Sequence, residues 1–323
     1  MKKTCLLLLA LVIALGLCAC GVKGGTPDGP GMATAVPGGE NVTNDPAGTP
    51  ADGAPTNGPA DQTPEPVAGS EGLVIKEYDD NCAVDGIGTF SGTELIIPSH
   101  VNGKPVTSIY EDAISNNTMV SLVVPFTVVT IGEDAVSSSE KLETVRFSEG
   151  LISVGEGSFG GCPRLKSVTL PLSLESVYNS AFRDCVGLEE VVLYGNSNVY
   201  NYAFSNCTAL KKVTFGGSSG QAYEIKSSAF DSDTALEELV FSGGLEKIGS
   251  FACSGCTALK TVYLPETLKE VAASAFSNVG TLKVFYSGSE EDWNKINFAN
   301  GNDALRNAEI EFNYKLTPLV PYE

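Results

Sequence analysis

Apolar positions return along most of the chain every 22 or 23 residues. The pair Ala-Phe marks the period at Ala181-Phe182, Ala203-Phe204, Ala229-Phe230 and Ala275-Phe276. Relaxed versions stand at Ala113-Ile114, Ala135-Val136, Ser158-Phe159 and Ala252-Cys253, and successive gaps are 22, 23, 23, 22, 26, 23 and 23 residues. The longest gap holds Gly216-Gly217-Ser218-Ser219-Gly220, which has the composition of a loop. Other apolar positions keep step with the pair. One unit runs Leu165-Lys166-Ser167-Val168-Thr169-Leu170-Pro171, then Leu174, Val177, Ala181-Phe182 and Cys185. Its Val-x-Leu piece alternates, which predicts a short strand with one buried face. The proline that follows has no N–H for a ladder and closes the strand. Gly132, Gly155 and Gly249 follow Ile131, Val154 and Ile248, where tight turns with positive φ are expected. No stretch of the repeats has the length and caps of a long helix.

A unit of this length cannot bury its own apolar face, so the units must stack. Stacking aligns the strands into a parallel sheet and places Phe on Phe, Val on Val and Leu on Leu inside. The pattern predicts a solenoid of stacked coils of about 22–23 residues, with a parallel β-sheet on one face and little helix. About eight turns at the inter-strand spacing give a rod near 40 Å long. A parallel β-helix obeys the same stacking physics, but its turns carry three strands, and one clear strand per period is legible here.

The unit Leu-x-x-Val-x-Leu-Pro-x-x-Leu-x-x-Val/Ile-Gly-x-x-Ala-Phe-x-x-Cys resembles the BspA-type leucine-rich repeat common on bacterial surfaces. The resemblance runs from about Leu73 to the C-terminus. It implies a leucine-rich-repeat domain over 73–323, with an entry cap over about 73–108, repeats over about 109–286 and a closing cap over about 287–323. In that cap, Ser289 is placed to start a short helix with acids in its first turn, and Asn307 to Tyr314 would add a last strand. The resemblance also implies a surface protein associated with adhesion and with binding host or neighbouring-cell proteins. Phe251-Ala252-Cys253 departs from the pattern, with its aromatic two places early.

The N-terminal 72 residues follow another logic. Met1-Lys2-Lys3 is basic, Leu6 to Leu17 is apolar except for Gly16, and Leu17-Cys18-Ala19-Cys20-Gly21 follows. This is the build of a secretory signal and is too short for a comfortable membrane span. Its end resembles the lipobox of bacterial lipoproteins, which implies a signal peptide over 1–19, cleavage before Cys20 and a lipid on the Cys20 sulfur. Cys18 would put Leu17 at the cleavage position, where a small side chain is wanted; the other reading is an ordinary signal peptide with an incidental cysteine. Gly21 to Gly72 has no aromatic residue and nine of the chain's 17 prolines. Such a composition does not offset the entropy of ordering, so 20–72 is expected to be a disordered tether. As a random coil it would span on the order of 40 Å. The expected location is the outer face of the bacterial cell membrane, with the membrane reached through the Cys20 lipid.

Charge narrows the partners. The chain carries a formal charge of −19, which argues against nucleic acid and against docking flat on anionic lipid. Solubility alone is also a sufficient reading of the acidity. Cys162, Cys185, Cys207 and Cys256 each follow the Phe position by three residues, a column expected to be small buried thiols with poor bridging geometry. Cys253-Ser254-Gly255-Cys256 lacks the βαβ context of a redox motif, and a structural zinc would need two more ligands. His100 is the chain's one histidine, so every Ser-His or Cys-His scheme would have to use it, and it sits in a cap loop. Paired carboxylates meeting across turns leave a carboxylate-dependent hydrolase as a remote alternative. No catalytic, cofactor or metal residue is assigned.

The outward column one place after the buried Val is more specific. It reads Val123, Arg146, Thr169, Val192, Thr214, Val240 and Tyr263. Apolar and aromatic side chains on a solvated strand face make a candidate contact surface; ordinary β-propensity at exposed positions is the other reading. The expected function is cell-surface binding of an extracellular or envelope protein or glycoprotein, without a cofactor. A structural envelope scaffold is the alternative.

Overall fold

The computed structural model describes residues 67–217, 221–317 and 319. The expected signal peptide, Cys20 and the tether as far as residue 66 lie outside the described residues.

The alternating Val-x-Leu pieces form the expected strands. Among the described residues they make a ten-stranded parallel sheet running from Glu94–Ile96 through Ser121–Val124, Ser167–Leu170, Glu190–Leu193 and Lys212–Phe215 to Lys283–Tyr286 and Glu309–Glu311. Sequence neighbours in the stack are neighbours in the sheet. The register has no slip where the repeats are regular: Val168 stands opposite Val191 and Leu170 opposite Leu193, then Val191 opposite Val213 and Leu193 opposite Phe215. The sheet has two strands more than the eight recurrences of the Ala-Phe pair suggest, because the entry cap and the closing cap each add one, Glu94–Ile96 and Glu309–Glu311.

A second strand per turn was not legible in the sequence. Pieces such as Thr130–Ile131, Ser153–Val154, Ser176–Val177 and Asn198–Val199 pair in parallel down the stack, and with the entry strands they make a twelve-stranded sheet among the described residues. Two residues show no alternation, so period alone cannot find them.

The third side of each turn carries the Ala-Phe pair. Its backbone also bonds from turn to turn: Phe159 N–H to Ala181 O at 2.7 Å, Phe182 N–H to Ala203 O at 2.7 Å and Phe230 N–H to Ala252 O at 2.7 Å. This arc is pinned by two left-handed residues four apart: Asp134 and Ser138, Gly157 and Gly161, Ser180 and Asp184, Asn278 four after Ser274. Asn, Asp and Gly hold many of these places because they tolerate positive φ best, and Ser holds Ser138, Ser180, Ser228, Ser232 and Ser274. The glycines expected to supply positive φ do something else. Gly132, Gly155 and Gly249 lie outside the left-handed set. A Cβ on Gly155 would stand 2.5 Å from Ile131 O and 2.6 Å from Gly132 O, so glycine there permits close approach of neighbouring turns.

The core is a set of columns. Phe159, Phe182, Phe204 and Phe230 are fully buried and stack face to face at 5.1, 5.2 and 5.6 Å with interplanar angles of 7°, 1° and 6°. At the next turn Cys253 takes the Phe place, buried, while Phe251 is left-handed (φ 58°) and 49% exposed. The displaced aromatic therefore points out of the core.

The closing cap follows its local chemistry. A short helix spans Glu290–Trp293 with Ser289 as N-cap, and Ser289 and Asp292 exchange side-chain-to-backbone bonds in a capping box. Asp292 is held down to about 2 by Ser289 and then Lys295. Trp293 packs edge-on against Tyr286 at 5.2 Å.

Candidate binding face

The seven outward residues lie in one column of the ten-stranded sheet. Val123 stands opposite Arg146, Thr169 opposite Val192, Val192 opposite Thr214, Thr214 opposite Val240 and Val240 opposite Tyr263. The register of Ser167 on Thr144 sets Arg146 beside Thr169. Phe285 continues the column past Tyr263.

The column is not uniformly solvated. Arg146 and Thr169 are exposed, and Val123 and Val192 are half-buried. Thr214 and Val240 are 7% and 6% exposed, which corrects the expectation of an open strand face at these two places. The cause is the chain's own C-terminal segment. It was expected to end as a strand over Asn307 to Tyr314; the strand stops at Glu311, Asn313 turns with φ 57°, and the following residues run back over the sheet. Tyr263 stacks on Phe285 at 4.7 Å, and the Tyr314 ring covers both, at 5.4 and 4.7 Å. Leu316 and Leu319 lie over a cavity of about 310 Å³ whose walls include Thr214, Phe215, Val240 and Thr267. The alternation in Tyr314-Lys315-Leu316 was the available signal for this segment.

Ion pairs border the face. Lys212 Nζ lies 2.7 Å from Glu238, and Lys283 Nζ lies 3.5 Å from Glu311. The Glu238 hydrogen bond holds the Lys212 ammonium above its ordinary range, against partial burial. Burial, and then Glu238, raises the Tyr263 hydroxyl.

The cysteine column is buried and free of disulfides among the described residues. Its thiols have a job in the arc: Cys185 Sγ donates to Phe159 O at 3.1 Å, Cys207 Sγ to Phe182 O at 3.2 Å and Cys256 Sγ to Phe230 O at 3.1 Å. Burial pushes the Cys207 and Cys256 thiols well up, the opposite of a reactive thiolate. Sequence reading missed the member between them. Asp233 fills the thiol place, is fully buried, and accepts the Cys207 N–H on Oδ1 at 2.7 Å, while Oδ2 has no partner. Burial pushes its carboxyl well above the ordinary range. Among the described residues no group of three or more His, Cys, Asp or Glu side chains is placed to hold a metal ion.

His100 Nδ1 lies 3.1 Å from Ser99 Oγ. That hydroxyl is fully buried and accepts the Val67 N–H at 2.8 Å, so it ties the entry segment to the cap. Among the described residues no helix is long and apolar enough to cross a membrane.

Stacked short turns, two sheets whose repeat strands pair in parallel, and an aromatic column define a β-solenoid repeat protein of the leucine-rich-repeat class. Residues 107–223 and 223–317 match the model of the BspA type leucine rich repeat region in six copies. The chain belongs to that family. Its fold is similar to that of the leucine-rich repeat protein of T. pallidum, at 23% identity and a TM-score of 0.50 over 59% of this chain and 89% of that one. A leucine-rich repeat protein from Bacteroides ovatus is 23% identical, with a TM-score of 0.45 over 72% of this chain and 66% of that one. The pneumococcal vaccine antigen PcpA is 15% identical, with a TM-score of 0.42 over 77% of this chain and 98% of that one. No curated protein matches the chain.

Proposed function

We propose that this protein is exported, lipid-anchored through Cys20 to the outer face of the cell membrane, and binds an extracellular or envelope protein or glycoprotein. The observation that carries the reading is the outward column, which sets Val123, Arg146, Thr169 and Val192 in strand register, exposed or half-buried among the described residues. Repeat solenoids offer such extended surfaces to partners, and an arginine in one column with two valines makes a face of the composition that protein interfaces favour. Binding is a better reading than catalysis, because the one histidine neighbours a serine that is buried and engaged by backbone.

The test is capture by the detergent-solubilised full chain from host matrix and from the producer's own envelope extract. The combined substitutions Val123→Ser, Arg146→Glu and Val192→Ser are expected to weaken capture at least tenfold with an unchanged melt. Capture that survives them refutes this face. Partners drawn only from the producer's envelope would favour the scaffold function over adhesion. For the anchor, cells fed labelled palmitate are expected to label the parent chain and not Cys20→Ala; a Cys20→Ala chain that carries the label would refute lipidation there.

A further inference from the structure

The C-terminal segment occupies the face in an unusual way. Tyr314 N–H donates to Tyr286 O at 3.0 Å, and beyond it no backbone hydrogen bond ties residues 315–317 or 319 to the sheet among the described residues. The segment is held there by side chains. Tyr314 lies on Phe285 and Tyr263, and Leu319 reaches Gly216, where an added Cβ would meet Leu319 Cδ1 at 2.6 Å. The path crosses the strands. A five-residue step, as from Tyr314 to Leu319, can reach about 16 Å, close to the three strand spacings of about 4.8 Å between the Phe285 and Phe215 strands. The fit is incomplete, because about 310 Å³ stays open beneath Leu316 and Leu319, walled mainly by apolar atoms. That is the lower end of the range for ligand pockets.

We propose that the outer face from Thr214 to Phe285 is a groove for an extended polypeptide laid across the strands, that the chain's own C-terminal segment is its resident occupant, and that a partner protein's segment of like chemistry replaces it. This rests on the protein-binding reading above and names the partner's form: an aromatic residue followed at two and five places by bulky apolar ones, as in Tyr314, Leu316 and Leu319. A glycan fits less well, because its hydroxyls would meet walls with few polar atoms. An occupant tethered in cis acts at an effective concentration on the order of millimolar, so a free segment of equal affinity competes poorly until the resident one is released.

The probe is a labelled synthetic peptide with the sequence of residues 313–323. The full chain carrying Tyr314→Ser, Leu316→Ser and Leu319→Ser is expected to bind it at least tenfold more tightly than the unaltered chain. A peptide with Trp at the Leu316 place should bind more tightly still, since the cavity has room, and a scrambled peptide should not bind. Absence of peptide binding by a variant that melts as the parent overturns the proposal, as does equal binding to both. Where the variant does not fold, the unaltered chain answers instead. Excess peptide carrying Lys315→Gln should speed tryptic cleavage after Lys315 in the protein, and an unchanged rate at millimolar peptide overturns the proposal. A dimer of the unaltered chain that dissociates on adding peptide would assign the groove to a second copy's segment and overturn the cis arrangement. None of these results depends on capture through Val123, Arg146 and Val192, so the two readings fail separately.

Discussion

Replacing Phe182 by Ala tests the aromatic column at its centre. Phe182 is fully buried and has a parallel ring on each face, Phe159 at 5.1 Å and Phe204 at 5.2 Å. Truncating a core Phe costs about 3–5 kcal/mol in transfer and cavity terms. Two lost ring contacts, each worth about 0.5–1.5 kcal/mol, place this site at the top of that range, about 5 kcal/mol. Phe276 is as buried, but its neighbour in the column is Cys253, so Phe276→Ala should cost about 3 kcal/mol. Phe251 is 49% exposed, and Phe251→Ala should cost less than about 0.5 kcal/mol. The assay is urea denaturation followed by far-UV circular dichroism and by the fluorescence of Trp293, the chain's one tryptophan. Coincident transitions license a single free energy. A loss at Phe182 no larger than at Phe251 would refute the column as the source of core stability, whatever the absolute values.

Three further outcomes follow from single sites. Asp233→Cys should restore the thiol column with a net change at pH 7 below about 1 kcal/mol, because removing the partnerless oxygen and removing the acceptor of the Cys207 N–H each change stability by about 1–3 kcal/mol in opposite directions. Because burial raises the Asp233 carboxyl, its contribution is full below the unfolded value near 4 and is lost as pH rises toward the folded one; melts from pH 4 to 8 should show parental stability falling relative to Asp233→Asn, and parallel curves would refute this. Gly155→Ala should cost about 1–3 kcal/mol by forcing backbone apart, whereas Gly280→Ala, with nothing within 4 Å of its added Cβ, should be near neutral; equal melts would exclude the close-approach role. Ser289→Ala should cost about 1 kcal/mol through the lost cap, read at Trp293. Asp292, held down to about 2, contributes stability above about pH 4 that is lost as pH falls toward 2, and the Ser289→Ala curve should flatten in that acid window.

The solenoid was legible because its signal is repeated: eight Ala-Phe positions and the Val-x-Leu strands carry register, core and direction of stacking together. The Ser289 cap was legible because capping chemistry is local. What was missed was set by neighbours in space. Two-residue strands such as Ser176–Val177 pair only because the turns above and below present the same backbone. The glycines read as turn formers are spacers, which a single unit cannot reveal. The outward column was found in order and register, but not its covering, since Tyr314, Leu316 and Leu319 return over strands that lie 30 to 100 residues earlier in the sequence. Asp233 escaped notice because it breaks the cysteine pattern that made the column visible.

Cooperativity in a linear array depends on the coupling between nearest neighbours, and here the coupling is uneven. The four-ring stack ends at Phe230, Cys253 offers the next turn no ring, and Asp233 brings an unmatched oxygen to the same junction. This is the rod's fracture line, the place where heat or pulling should divide it into an N-terminal and a C-terminal block. The C-terminal segment bridges that line from outside, with Leu319 against Gly216 on one side and Tyr314 against Tyr263 and Phe285 on the other. It is thus a splint as well as an occupant. A partner that lifts it away would also loosen the joint beneath, so that engagement on the surface changes how the rod bears load.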